Sequence, residues 1–72
     1  MSTTISANAT TPHVVRIVEP GSDPRLHDFA SSVAAKAFAR RIFREGHRGI
    51  VVQVFEGERG EQGDRDPVLV LY

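Results

Sequence analysis

Residues 28–55 read DFASSVAAKAFARRIFREGHRGIVVQVF, and the division of this stretch decides the fold. Its first part has high helix propensity, with Ala30, Ala34, Ala35, Ala37 and Ala39 set among Arg and Lys. Ala35, Phe38, Ala39 and Ile42 keep the i, i+3, i+4, i+7 spacing of a core-facing helix side. Phe29, Val33 and Ala37 form a second apolar stripe that turns basic at Arg40, Arg41 and Arg44. Gly46 suits a helix stop, where a left-handed backbone costs glycine nothing. Ile50 to Phe55 (IVVQVF) is the strongest strand signal in the chain.

Upstream, His13 to Val18 (HVVRIV) is a short β-branched run, and Glu19-Pro20-Gly21 ends it with a turn signal. Asp23-Pro24 then resembles a helix start. The carboxylate can cap free N–H groups, and Pro24 suits the first helical position because its missing N–H has no partner there anyway. The helix is therefore expected from Pro24 to Glu45, with a looser first turn and a start near Asp28 as the alternative. Downstream, Gly57 to Asp66 is a polar, glycine-rich loop. Pro67 can open a last strand, Val68 to Tyr72 (VLVLY). The expected fold class is α+β: a small βαββ domain with one helix packed on a three-stranded, mainly antiparallel sheet. Strand order 1-3-2 is preferred, as in half of a split βαβ fold; pairing of the first two strands instead requires a right-handed parallel crossover. Residues 13–72 make the single domain. Residues 1–12 carry no charged side chain and few apolar ones, which predicts a flexible tail.

The chain has 72 residues, a size at which a hydrophobic core alone supplies only about 3–5 kcal/mol. It has no cysteine, which removes disulfides and thiolate metal sites and fits a cytoplasmic protein. Nine basic and nine acidic residues cancel, so the molecule as a whole does not steer strongly toward nucleic acid or membrane. No apolar run approaches the roughly 20 residues that span a bilayer, and the N-terminus lacks the basic and apolar regions of a secretory signal.

One helix covers one face of a sheet. Strand alternation sets Val15 and Ile17 against Val14 and Val18, Ile50, Val52 and Val54 against Val51, Gln53 and Phe55, and Val68 and Val70 against Leu69 and Leu71, so both sides read as mostly apolar. Monomers rarely leave a large apolar patch in water. The expectation is that an open sheet face at Val14, Val18, Val51, Gln53 and Phe55, or a strand edge, is covered by a protein partner or by a second copy in a homodimer.

A basic elbow comprises Lys36, Arg40, Arg41, Arg44, His47 and Arg48, with Glu45 its only acid. Lys36, Arg40 and Arg44 recur every four residues and line one helix side. The pattern suits an anion site for phosphate, nucleic acid or an acidic protein surface; cations that complement a helix C-terminus give the same pattern. The loop acids Glu56, Glu58, Glu61, Asp64 and Asp66 are diluted by Arg59 and Arg65 and do not match a calcium loop. His13, His27 and His47 lack zinc-site spacing, and His27 is expected to face solvent in the first helical turns. No nucleophile elbow, phosphate-binding loop or dinucleotide fingerprint occurs. A chain this small is expected to lack the room for a deep pocket of about 300 Å³ or more. No catalytic, cofactor-binding or metal-ligating residue is assigned, and no cofactor is expected.

No motif identifies a family. The βαββ order resembles half of a ferredoxin-like domain, but IVVQVF and VLVLY do not match the aromatic strands of its RNA-binding versions. In format alone (small size, no cysteine, compact α+β layout, no catalytic set) the chain resembles small phage or mobile-element inhibitors, anti-CRISPR proteins among them. That resemblance implies a non-catalytic protein-binding module that inhibits a larger complex. The rivals are a nucleic-acid-associated accessory protein that uses the same arginines and a structural homo-oligomeric subunit.

Overall fold

The computed structural model describes residues 11–46, 48–60 and 65–72. The elements run β1 (His13–Val18), β2 (Arg25–Phe29), α1 (Ser32–Glu45), β3 (Val51–Glu56) and β4 (Leu69–Leu71). Four strands form one sheet ordered β2-β1-β3-β4, and every neighbouring pair is antiparallel. The α+β class and the antiparallel sheet agree with the sequence reading. The three-strand count and the 1-3-2 order do not. HVVRIV lies directly beside IVVQVF, with Val15 opposite Val54 and Ile17 opposite Val52.

The extra strand is RLHDF, expected to be the first turns of the helix. The Ser22 N–H donates to the Glu19 carbonyl at 3.1 Å, with Pro20 and Gly21 between them. Gly21 has φ 79°, so the turn has the type II pattern of proline second and a positive-φ glycine third. This turn sends the chain back along β1, where the β1 edge supplies ladder partners for Arg25–Phe29. Pro24 thus precedes a strand instead of opening a helix. Ser31 caps α1 in place of Asp23: its backbone is extended and its Oγ accepts from the Ala34 N–H at 3.2 Å.

Val15, Ile17, Val52, Val54 and Ile50 from the sheet side and Ala35 and Ala39 from α1 form the buried core. The two alanines let the helix lie close to the sheet, and Phe29, Phe38, Ile42, Phe43, Leu69 and Leu71 close the margins. The expected core side of the helix is therefore present. The second stripe is not: Val33 is 80% exposed, and Phe29 belongs to β2.

Gly46 ends the helix, but with φ −83°, outside the left-handed region. Space demands glycine here, since a Cβ would meet Ile50 Cδ1 at 2.8 Å and the Ile42 carbonyl oxygen at 2.9 Å. The left-handed residue of this connection is Gly49, φ 86°, which lies against Pro20.

At the start of β1, Thr11 and Pro12 are tied into the fold. The Pro12 carbonyl accepts from the Gly57 N–H at 2.8 Å, and His13 Nδ1 donates to the Thr11 carbonyl at 2.7 Å. The rest of the expected tail lies outside the described residues.

Candidate interaction surface

The sheet face away from α1 is built in cross-strand rows. One row runs Asp28, Val14, Phe55, and the next runs Leu26, Arg16, Gln53, Val70. Val14 and Phe55, expected to be open, are only 1% and 5% exposed. A loop arginine is tied to the same row. Arg59, beyond the end of β3, reaches across β1 to β2, where it pairs with Asp28 at 3.0 Å and donates to the Leu26 carbonyl at 3.2 Å. Arg65 donates to the Glu56 carbonyl at 3.1 Å and ties the same connection to β3. The loop arginines, read as diluting an acidic loop, thus act as ties. Glu61 and Asp64 lie outside the described residues.

The middle of this face is polar. Period-two alternation places Arg16 between Val14 and Val18, and its Nη1 donates to Gln53 Oε1 at 3.4 Å. Of the residues expected to be open, only Val18 and Val51, half-buried and in register at the far end, keep apolar exposure. The broad open apolar face is corrected to one closed row, one row with a polar centre between half-buried Leu26 and Val70, and one valine pair.

The two sheet edges differ more than the two faces. On the β2 edge, Arg25 and Asp28 carry charge, Arg25 pairs with Glu19 at 3.1 Å, and Arg59 docks on Leu26 and Asp28. Charge on an edge discourages another strand from pairing. Among the described residues the β4 edge carries no such charge or tie. Residues 68–72 carry no charged side chain, only Leu69–Leu71 are in the strand, and Val68 and Tyr72 are exposed, Tyr72 at 88%.

Three of the elbow cations, Lys36, Arg40 and Arg48, keep company with this edge or the sheet end below it. Phe38 packs against His27 and Phe29 of β2, with both ring-centroid distances at 5.0 Å. That side of α1 therefore faces β2, which also corrects His27 from a solvent-facing helix residue to a half-buried strand residue. At about 3.6 residues per turn, Lys36, Arg40 and Phe43 fall on the opposite flank, toward β3 and β4. Phe43 indeed shares a largely apolar cleft of about 330 Å³ with Arg48, Ile50, Val51 and Tyr72. Arg48 and Ile50 also line a second cleft, about 460 Å³, with Glu19, Pro20 and Ser22. Both are open surface clefts and not deep pockets of the kind a chain this small is expected to lack. Arg44 lies further round toward solvent. Arg41 is occupied by Glu45 at 3.9 Å. Lys36, Arg40, Arg44 and Arg48 form no ion pair with a described residue. Of the cations within the helix only Arg44 lies in the last turn, so the helix dipole does not account for Lys36 or Arg40. His47 lies outside the described residues.

Sequence reasoning missed Tyr72 as a surface residue. It also took residues 14 and 55 for a docking face. At the opposite sheet end a cleft of about 270 Å³ lies between Pro12, His13, Phe29 and Arg59. Among the described residues no group of three or more His, Asp or Glu is placed to hold a metal ion. No described helix is long and apolar enough to cross a membrane. Comparison with family models, curated proteins and solved structures finds no match.

Proposed function

We propose that this chain is a non-catalytic protein-binding module that takes a partner through the β4 edge of its sheet and, by occupying the partner's surface, inhibits a larger complex. The observation that carries the reading is the contrast between the edges. β2 is charged and tied by Arg59, whereas β4 offers an uncharged row of backbone groups ending in an exposed tyrosine. A short but uncharged edge of this kind can pair with an added strand, whose main-chain bonds supply affinity while side chains on alternate positions supply selectivity.

Affinity capture from cells of the source organism tests it, with wild type compared with Val70→Lys, which charges the edge strand. Wild type is expected to retain a stoichiometric protein that the variant loses, while circular dichroism shows both folded. Retention by both, or by neither, overturns the reading. Exposed Tyr72 beside Arg48 favours a second reading, single-stranded nucleic acid stacked on the aromatic ring. In that case binding falls steeply with salt, by roughly tenfold or more for several phosphate contacts between about 50 and 200 mM. A mostly apolar and main-chain interface keeps most of its affinity over that range.

A further inference from the structure

We infer that the strand accepted by β4 is an acidic one, with carboxylates at alternate positions on its helix-facing side. This rests on the β4-edge reading and adds the chemistry of the partner. The helix carries the chain from the end of β2 back to the start of β3, so α1 runs alongside the strands. Its flank away from β2 presents Lys36 and Arg40, and Arg48 follows at the sheet end beside Tyr72. None of the three has a carboxylate partner among the described residues. A strand added outside β4 would lie below this row.

The spacings match. Lys36 and Arg40 are four residues apart, about 6 Å along a helix axis. Alternate residues of a strand are about 6.7 Å apart on one face. Carboxylates at i and i+2 of an incoming strand therefore meet successive cations, while its other side chains extend the sheet face carrying Val70 and Gln53. The same cations can meet phosphates. The cleft holds a single cation, Arg48, among apolar walls at Ile50, Val51 and Phe43, and the chain has no net charge to gather a polyanion, which favours a peptide.

Amide chemical-shift titration of the full chain tests the inference with four probes: capped SEVEVES, its shuffle SEEEVVS, the neutral STVTVTS, and an oligothymidylate. The alternating acidic peptide is expected to shift the amides of residues 68–72. Its affinity should exceed that of the shuffle and the neutral peptide by about tenfold, a margin that the double variant Lys36→Glu, Arg40→Glu removes. Equal binding of the neutral peptide overturns the acidic preference and leaves the β4-edge reading standing. Tighter binding of the oligothymidylate overturns it in favour of nucleic acid. If no peptide moves the β4 amides the inference falls, and the edge reading is then decided separately by the Val70→Lys capture.

Discussion

Gly46 and Gly21 are both glycines for reasons that a sequence pattern does not separate. Gly21 needs its positive φ of 79° and has nothing within 4 Å of where a Cβ would sit. Gly46 has an ordinary φ but no room, with Ile50 and the Ile42 carbonyl on either side. Alanine at Gly21 costs about 1–2 kcal/mol from backbone strain alone. Alanine at Gly46 must move either a buried isoleucine or a helical carbonyl, at about 1–3 kcal/mol, and also shifts Ile50 in the cleft. Urea unfolding of both variants checks the costs. The side-chain methyl resonances of Ile50 should move in Gly46→Ala and stay in place in Gly21→Ala. Arg16 is a residue the sequence did expose. Alternation alone places it on the second face, between two valines, and a count of apolar positions passes over it. Arg59 is different, because its bonds to Asp28 and Leu26 cross 31 and 33 residues and depend on a strand that local pattern does not reveal.

Among the elements, the end of the helix and the strand after it were legible because both carry strong periodicity over many residues. The beginning was not. RLHDF has little strand propensity of its own, and its state is set by pairing with β1, a tertiary effect that overrides local preference. That one strand also explains the sheet order. A hairpin before the helix reverses the chain, so a helix that would have made β1 and β3 parallel neighbours makes them antiparallel ones. Two caps distinguish the alternatives. Ser31→Ala removes the bond to the Ala34 N–H and is expected to lower stability by about 1 kcal/mol, whereas Asp23→Ala, in the exposed turn, stays within about 0.5 kcal/mol of wild type. Thermal or urea unfolding of the pair gives the answer; a larger loss from Asp23→Ala would contradict the start of α1 at Ser32.

At the scale of the whole molecule, a core of seven buried residues holds a sheet whose two edges are treated unlike. One is charged and tied from across the sheet, and the other ends in an uncharged strand, below helix-flank cations that pair with no described residue. The basic row was readable from four-residue spacing; what it overlooks was not, because that depends on which helix flank faces β2. The central claim is that partners meet the β4 end of this surface. Site-specific photocrosslinking in source cells tests it most directly, with a photoreactive phenylalanine analogue placed at Tyr72 or at Val33, both highly exposed but on different parts of the surface. The account predicts a discrete adduct with another protein from position 72 and none from position 33. An adduct from position 33, or none from position 72 other than with a second copy of the chain, would contradict it.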